Sequence, residues 1–411
     1  MITTAKSNRL QIGVFGRTNV GKSSFVNVIA GQDVAITSPL PGTTTDVVEK
    51  SMELLPIGPV VFLDTAGLDD SSSLGNQRTK RAIRIFDRAD IFVLVIEANT
   101  WTACEERVVA ESIKRQAPLI IILNKTDITE ADFHYRELLG TKSKNIIICS
   151  CSNLKEHETC RNIFKEKLLK VCPLSFFSQS PIIRDLVPRG GLAILITPID
   201  SQAPRGRLIL PQVQCLRDLL DGHALGMVVR EDEYVNALGR LTQPPDIVVC
   251  DSQVVDLMVK STPPSIPCTT FSILFARLKG DLKCLVDGVH TIDLLRFGDR
   301  VLIAEACSHH PLADDIGRIK IPRWLQERIT VKVSIDTCAG RDYPENLSDY
   351  RLIIHCGACM LTRREMLNRI EQAHEHGVAI TNYGICIAFL HDVLHRVLAP
   401  YKNLEASQCT I

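Results

Sequence analysis

Short apolar runs recur along the first part of the chain, separated by stretches with helical spacing of apolar residues. The runs lie at residues 11–15, 60–63, 91–96, 119–123 and 146–148. Strands that alternate with helices at this spacing are typical of a mostly parallel sheet covered on both faces. We therefore predict a doubly wound α/β domain over residues 1–172.

A second set of apolar runs follows a connector rich in Ser, Phe and Pro that begins near residue 173. It predicts strands at residues 193–196, 226–229 and 247–249, and helices at residues 211–220, 233–238 and 254–260. This order is typical of a small parallel α/β domain, which we place at residues 173–265. Because no glycine-rich loop follows its first strand, we expect no nucleotide site there.

A third set of elements follows a Pro-rich turn at residues 263–267. It predicts a helical stretch at residues 270–295 and strands at residues 300–304, 351–354 and 379–380. Polar or metal-binding residues follow each strand, at residues 305–310, 355–359 and 381–384. Sites in open α/β sheets form at the carboxyl ends of parallel strands. We therefore expect these loops to converge in a third α/β domain, residues 266–411.

Composition narrows the choice of partner. Lys plus Arg equals Asp plus Glu at 47 each in 411 residues, which gives no net pull toward nucleic acid or an anionic membrane. No stretch reaches the roughly 18–20 apolar residues of a membrane span. We expect a cytoplasmic protein without a nucleic-acid or membrane partner, in which most of the 15 cysteines are buried, reduced thiols.

The first apolar run leads into a phosphate-binding loop. Residues 16–23 match G-x-x-x-x-G-K-[ST] between a predicted strand and a predicted helix. The backbone around Gly16 and Gly21 can curl around phosphates, Lys22 can reach the β and γ oxygens, and Ser23 can ligate Mg²⁺. Ser24 completes the expected nucleotide contacts of this loop. The motif by itself fits an ATPase or a GTPase.

Further motifs identify the base and the catalytic set. Asp64 and Gly67 lie where a carboxylate faces Mg²⁺ and a backbone N–H faces the γ-phosphate. Asn124 and Lys125 precede Asp127, whose carboxylate can accept hydrogen bonds from guanine that adenine cannot offer. The nucleotide is therefore GTP.

A mobile switch threonine should complete the Mg²⁺ shell when the γ-phosphate is present. Thr44, within residues 41–46, is the expected residue. Ser150 and Cys151 occupy the last guanine-loop position. The residues expected to act in hydrolysis are Lys22, Thr44, Asp64 and Gly67.

Residues 9–172 resemble the Era and MnmE group of GTPases, with the P-G-T-T-x-D switch as the most specific shared feature. The resemblance implies that Asn19 helps to bind a K⁺ ion that supports hydrolysis. Leu68 stands where Ras-type enzymes have a water-orienting glutamine, so slow turnover without K⁺ or a partner is expected. Asp69 and Asp70 are candidates to orient water, or are solvated loop carboxylates.

Cysteines and histidines cluster in the third domain. Cys307 and His309 form C-x-H, and His355, Cys356 and Cys359 form H-C-x-x-C. Three thiolates and a histidine can close a zinc site, whereas three thiolates can also hold a [4Fe–4S] cluster with one iron available to another ligand. Spacing leaves both metals open.

Beyond these motifs, the whole chain resembles HydF, the GTPase family that matures [FeFe]-hydrogenase. The C-x-H and H-C-x-x-C pattern carries this resemblance, together with residues 200–212, 251–253, 315–318 and 381–384. It implies an N-terminal Ras/Era-like GTPase domain, a central dimerisation domain and a C-terminal [4Fe–4S] domain, within a homodimer.

The same resemblance implies which residues hold the cluster and what the protein carries. Cys307, Cys356 and Cys359 would be ligands, and the fourth position is open to His309, His355, Glu305 or an exchangeable small molecule. For each histidine a supporting role is an equal alternative. The implied cargo is a diiron precursor made with the radical-SAM maturases HydE and HydG and delivered to apo-[FeFe]-hydrogenase.

Two other functions fit the motifs. One is an Era- or MnmE-like RNA or ribosome-assembly GTPase with structural zinc, against which the neutral charge balance weighs. The other is a redox-sensing regulator whose cluster has no free position.

Overall fold

The computed structural model describes residues 9–31, 48–64, 83–173, 180–199, 208–306, 315–340, 343–344 and 346–401. The chain divides into two compact units, Met1–Gln179 and Ser180–Ile411. Among the described residues, no helix combines the length and the apolar character that crossing a bilayer requires.

The first unit is built on one six-stranded sheet in the order β2-β3-β1-β4-β5-β6. All its neighbouring strands are parallel except β2 and β3. Its strands are β1 (Leu10–Phe15), β2 (Val48–Leu54), β3 (Gly58–Asp64), β4 (Ile91–Glu97), β5 (Leu119–Asn124) and β6 (Ile146–Ile148). The central strands β1 and β5 are buried along their whole length, as expected for strands covered on both faces.

Helices cover both faces of this sheet. Each face packs against them in its own apolar core. They are α1 (Lys22–Ala30), α2 (Ala103–Lys114), α3 (Phe133–Lys142) and α4 (His157–Val171), with a helical segment at residues 83–88 and a 3₁₀ turn at Leu154–Glu156. Thr102 and Glu105 form a capping box that fixes where α2 begins. The predicted doubly wound α/β fold is confirmed, and the bounds of the domain stay a prediction.

Strand β2 is an element that the apolar pattern missed. Its residues are a mixture of charged, polar and apolar types, and it lies at the sheet edge, antiparallel to β3. Lys50 within it is buried and donates a hydrogen bond to Asn27 (3.2 Å). A buried charged residue hides the alternation that would otherwise predict the strand.

The second unit contains two four-stranded parallel sheets. The first has the order β10-β9-β7-β8, and the second has the order β12-β11-β13-β14. The strands of the first are β7 (Leu192–Ile196), β8 (Leu225–Val229), β9 (Ile247–Cys250) and β10 (Cys268–Thr270). Those of the second are β11 (Arg300–Glu305), β12 (Ser334–Ala339), β13 (Leu352–His355) and β14 (Ala379–Asn382).

Helices connect the strands of both sheets. Those of the first sheet are α5 (Leu210–Asp221), α6 (Tyr234–Gly239) and α7 (Val255–Ser261). Those that follow are α8 (Phe271–Lys279), α9 (Leu282–Val289), α10 (Ile321–Arg328), α11 (Arg363–Glu375), α12 (Tyr383–Leu390) and α13 (Leu394–Leu398). Short 3₁₀ turns lie at Ser252–Val254, His290–Leu294 and Leu347–Asp349, and a π-helical turn lies at Ile316–Lys320.

The helical stretch expected at residues 270–295 is confirmed, but it is not one continuous helix. It divides into α8 and α9 at Gly280, after which Asp281 caps α9 by accepting a hydrogen bond from the Cys284 N–H. A side chain at residue 280 would meet the backbone carbonyl of Ala276 at 3.1 Å. The glycine and the capping aspartate together stop one helix and start the next.

The two sheets of the second unit share one continuous apolar core. Strand β10 pairs with β9, so the first sheet continues past residue 265, where a domain boundary was expected. The short run Cys268–Thr270 is buried and parallel to its neighbour. The domain boundary between residues 265 and 266 stays a prediction. The apolar core is continuous across this point and does not mark a boundary.

Candidate functional site

Two glycines shape the loop between β1 and α1. Both have positive φ values, 141° at Gly16 and 96° at Gly21. A side chain at Gly16 would meet the carbonyl oxygen of Val95 at 2.3 Å, and one at Gly21 would meet the amide nitrogen of Asn124 at 2.2 Å. The tight turn therefore requires glycine at both positions.

Lys22 lies at the start of α1, beneath this loop. Its side chain is buried and Nζ donates hydrogen bonds to the carbonyls of Gly16 (3.0 Å) and Arg17 (2.7 Å). Within the described residues, no side chain caps this end of α1 and no acidic residue lies in its first turn. The N–H groups of a helix N-terminus, the helix dipole and an ammonium group together fit a phosphate anion.

A hydroxyl and a carboxylate meet beside the phosphate loop. Ser23 Oγ donates a hydrogen bond to Asp64 Oδ2 (3.1 Å), and Asp64 Oδ1 is buried without a hydrogen-bond partner among the described residues. Burial raises the pKa of the Asp64 carboxyl, although the Ser23 hydrogen bond and the Lys22 charge act in the opposite direction. Oxygen donors with an unpaired carboxylate oxygen fit a hard cation such as Mg²⁺.

Asn124 joins three loops of the first unit. It is almost fully buried at the end of β5; Nδ2 donates to the Val20 carbonyl (2.9 Å), and Oδ1 accepts from the Cys151 N–H (3.0 Å). The side chain therefore holds the phosphate loop and the loop after β6 in a fixed relationship.

The carboxylate of Asp127 is exposed and preorganised. It accepts hydrogen bonds from the hydroxyls of Ser150 (2.7 Å) and Ser152 (2.8 Å). These two hydrogen bonds hold the pKa of Asp127 below its ordinary value. Asp127 is therefore ionised at neutral pH, as an acceptor for two guanine N–H groups requires.

The side chain of Lys125 is oriented by an acidic residue at the end of a neighbouring strand. Its φ is 58°, and Nζ forms an ion pair with Glu97 at the end of β4. The hydroxyl of Tyr135 lies within hydrogen-bond distance of the Glu97 carbonyl (3.0 Å) and the Thr100 carbonyl (2.9 Å). Sequence spacing gives no sign of Glu97, because it reaches Lys125 from another strand, or of Tyr135, which contacts the end of that strand and the residues after it from α3.

Two further residues predicted to contact the nucleotide lie in the phosphate loop and in the first turn of α1. Asn19 has a φ of 64° at the tip of the phosphate loop, and Ser24 is exposed on α1. Thr44 and Gly67 lie outside the described residues, as do Leu68, Asp69 and Asp70. Their roles stay predictions.

The loops of the second unit converge where sequence predicted. Parallel strands β11, β13 and β14 are neighbours, and Ala304, His355 and Asn382 lie side by side at their carboxyl ends. This confirms a common edge for the described loop residues 305–306, 355–359 and 381–384.

Cys356 is held tightly at this edge. Its N–H donates to the Ala304 carbonyl (2.8 Å), and its Sγ accepts a hydrogen bond from the Ala306 N–H (3.1 Å). Cys359 lies three residues further along the same loop, and both cysteines are half-buried. Hydrogen bonds from backbone N–H groups to a ligand sulfur are among the features that tune iron–sulfur sites. The donor type and the hydrogen bond fit such a cluster.

His355 is enclosed by protein. Arg369 Nη1 donates to its Nε2 (2.7 Å), and because arginine can only donate, the proton lies on Nδ1, which donates to the Cys356 carbonyl (2.7 Å). The residue is fully buried, and its burial, together with the Arg369 charge, lowers the pKa of His355 to about 3. In this conformation neither ring nitrogen is available to a metal.

Glu305, another candidate for the fourth position, is also engaged. It is almost fully buried, and Arg318 Nη2 donates to its Oε2 (3.0 Å). Cys307 and His309 lie outside the described residues, although one peptide bond joins Cys307 to Ala306. Within the described part of the chain, no three Cys, His, Asp or Glu side chains group as a metal site.

Sequence reasoning also missed Lys279, at the end of α8. It is buried, and Nζ donates to the carbonyls of Ala358 (3.0 Å), Cys359 (3.0 Å) and Leu361 (2.9 Å). The residue lies about 80 positions from the loop it contacts, so no local spacing predicts the contact.

Curated relatives resemble the first unit. The tRNA modification GTPase MnmE of Synechococcus sp. (strain JA-3-3Ab) is 42% identical over 142 residues, which cover 32% of this chain and 30% of the relative. MnmE of Syntrophobacter fumaroxidans is 37% identical, covering 43% and 37%, and GTPase Der of Kosmotoga olearia is 31% identical, covering 34% and 33%. The chain thus spans about a third of the length of these relatives.

Two solved structures are similar to part of the chain. The G domain of the FeoB iron transporter of T. maritima covers 40% of this chain and 99% of its own length, with 19% identity and a TM-score of 0.30. A substituted Era from Aquifex aeolicus bound to GDP and AlF4− covers 56% and 98%, with 19% identity and a TM-score of 0.32.

Family models account for most of the chain. Residues 11–125 match the model described as 50S ribosome-binding GTPase, which agrees with the P-loop and guanine-loop geometry of the first unit. Residues 182–280 match the hydrogen maturase F dimerization domain, and residues 283–400 match the hydrogen maturase F tetramerization domain. With a P-loop GTPase domain followed by these two domains, the chain belongs to the hydrogen maturase F family, HydF.

Proposed function

We propose that this protein is a GTPase and an iron–sulfur scaffold that receives a diiron precursor from the radical-SAM maturases HydE and HydG. It then delivers the precursor to apo-[FeFe]-hydrogenase. The observation that carries the proposal is the hydrogen bond from the Ala306 N–H to Cys356 Sγ. Because Ala306 directly follows β11 and directly precedes Cys307, this bond joins Cys356 to the neighbour of Cys307 in the chain. A chain of this family that places thiols at such an edge can hold a metal cluster there.

The cluster would be held by Cys307, Cys356 and Cys359. A [4Fe–4S] cluster with three thiolate ligands leaves one iron for a small molecule or for the bridging group of a cargo. His355 and Glu305 already have protein partners, so we assign them to support, and His309 remains the candidate for the fourth position. An iron accessible to exchange is what separates a carrier from a closed zinc site.

GTP would act as a switch for partner binding or release. Lys22, Ser23 and Asp64 would hold the phosphates and Mg²⁺, with Thr44 and Gly67 reading the γ-phosphate. The ionised Asp127 would select guanine. We expect slow hydrolysis that K⁺ accelerates through Asn19, which a comparison of turnover in KCl and NaCl would test.

Oligomerisation would use β8, which is the edge strand of the first sheet of the second unit among the described residues. Strand β8 pairs with β7 on one side, and its Leu225 (60% exposed) and Val228 (41% exposed) are apolar. An apolar edge strand is a template for pairing with a second chain. We therefore propose a homodimer formed at β8, in accord with the dimerization model at residues 182–280.

The cytoplasm is the proposed location. The 13 cysteines of the described segments are free thiols, which fits a reducing compartment. No nucleic-acid or membrane partner is proposed, because a chain with balanced charge has no net attraction to either of these anionic surfaces.

The direct test of function is activation of apo-hydrogenase. The protein is loaded anaerobically by the two maturases, purified away from them and mixed with apo-hydrogenase; hydrogen evolution is then measured. Activation by the wild type, and its loss in Cys356→Ser, would support the carrier role. Equal activation by both proteins would contradict it.

A zinc-containing assembly GTPase is the competing function. It would bind one zinc and no iron after reconstitution, and it would not activate hydrogenase. A redox regulator, in contrast, would bind a cluster whose EPR spectrum does not respond to added imidazole or cyanide.

A further inference from the structure

We propose that Lys279 is a positioning residue for the cysteine loop, with a buried ammonium ion that shapes the loop and stabilises the charge of a bound cluster. The inference rests on the proposed cluster role of Cys356 and Cys359. Lys279 is 4% exposed and lies at the end of α8, far from these cysteines in sequence.

The hydrogen bonds of Lys279 favour its charged form. Nζ lies 2.9–3.0 Å from three carbonyl oxygens, those of Ala358, Cys359 and Leu361. Carbonyl oxygens accept but cannot donate, so three such contacts require three N–H groups. A neutral amine has two, so this geometry favours the ammonium ion, whereas burial acts in the opposite direction and lowers the pKa of Lys279 to about 8.

The loop is folded around this ion. Its three acceptors belong to one stretch of backbone, in which Ala358 has a φ of 52°. Three carbonyls of one short stretch, those of Ala358, Cys359 and Leu361, therefore turn toward the same ion, which fixes the path of the backbone between the two cysteines and α11. Without the ion, these carbonyls would lose their hydrogen-bond partner, which destabilises this conformation of the loop.

A second contact closes the arrangement from the opposite direction. Arg363, two residues after Leu361, donates through Nη1 to the carbonyl of Leu278 (2.6 Å), next to Lys279. Thr362 and Glu365 then form the capping box that starts α11. The segment from Ala358 to Arg363 is thus hydrogen-bonded to the last residues of α8 at its beginning and at its end.

The ammonium ion also has an electrostatic consequence. Cys356 and Cys359 would be thiolates as ligands, and a [4Fe–4S] cluster becomes more negative when it gains an electron. A fixed positive charge that water and salt do not screen favours the more reduced state. We therefore expect Lys279 to hold the cluster more tightly and to raise its reduction potential.

The test compares Lys279→Met with Lys332→Met, which makes the same change at an exposed lysine of the same unit. Full-length proteins are reconstituted anaerobically with iron and sulfide. Two quantities are measured: the rate of iron loss to a chelator and the midpoint potential from an EPR-monitored redox titration. Thermal unfolding of each full-length protein, followed by circular dichroism, reports that the second unit is folded.

For Lys279→Met we expect iron loss about tenfold faster than in the wild type, the size of effect typical of residues that support metal ligands. We also expect a more negative midpoint potential. Lys332→Met should match the wild type in both. If Lys279→Met holds the cluster equally long at an unchanged potential, the inference is overturned.

A neutral variant with remaining donors provides a second test. Lys279→Gln keeps two N–H donors but lacks the charge, so its potential should shift in the same direction even if the loop keeps its shape. An unchanged potential in this variant overturns the electrostatic role. A wild-type protein that takes up no cluster would instead refute the proposed function, so the two failures are distinguishable.

Discussion

The side-chain amide of Asn124 donates a hydrogen bond to the carbonyl oxygen of Val20, at 2.9 Å, between residues more than 100 positions apart. Through the same side chain, the Cys151 N–H is held at 3.0 Å. The phosphate loop and the guanine loop are therefore one connected structure even without a nucleotide.

Replacing Asn124 with Ala should weaken this connection. Two buried groups would lose their partner, which costs about 1–3 kcal/mol each in the free energy of unfolding of the first unit. GTP affinity should fall as well, because the loops would have to be ordered by the ligand. Chemical denaturation and nucleotide titration measure the two effects; unchanged stability would show that the bridge has no structural role.

Asp127→Asn should change the preferred base. An amide offers one acceptor and one donor where the carboxylate offers two acceptors, so it suits xanthine better than guanine. We expect GTP affinity to fall by about tenfold or more, with a gain for XTP. Competition between the two nucleotides gives the result, and Asp132→Asn, at the cap of α3, is the control. A retained preference for GTP would place base recognition elsewhere.

Tyr135 should make the first unit sensitive to alkali. Burial raises the pKa of Tyr135 to about 12, from an ordinary value near 10. Between these values the unfolded chain loses a proton that the folded protein keeps, so stability falls as pH rises through this window. Tyr135→Phe should remove this component while lowering stability at pH 7 by about 1 kcal/mol. Thermal unfolding at pH 7 to 11 tests both; an identical pH slope in the variant would refute the assignment.

Val228→Lys should prevent the proposed dimer. A charge on the exposed face of β8 opposes pairing with a second copy. Leu154→Lys, an equally drastic change at an 80%-exposed site of the first unit, is the matched control. Size-exclusion chromatography with light scattering should give a monomer for the first variant and a dimer for the control. A dimer in both would show that the interface lies elsewhere.

Much of the fold follows from local sequence, because buried parallel strands are apolar runs. The strands from Leu10, Leu119 and Ile247 are of this kind, and the glycine and lysine of the phosphate loop have a fixed spacing. Strand β12 was not predicted, since its residues are exposed or half-buried and include Asp336 and Thr337.

The supporting residues of both sites were beyond sequence reasoning. Glu97, Arg369 and Lys279 act across distances in the chain at which spacing carries no information. His355 illustrates the same limit: its neighbours Cys356 and Cys359 suggested a ligand, whereas its burial and its Arg369 partner are properties of the packed structure.

The central claim is that one chain joins a GTPase to a cluster held by Cys356. Iron content after anaerobic reconstitution, measured with GTP turnover in wild type, Cys356→Ser and Cys104→Ser, tests it most directly. We predict about four irons in the wild type and the Cys104 control, loss of the cluster in Cys356→Ser, and similar GTP turnover in all three. A wild-type protein that binds one zinc and no iron, or a Cys356→Ser variant that retains its iron, would contradict the account.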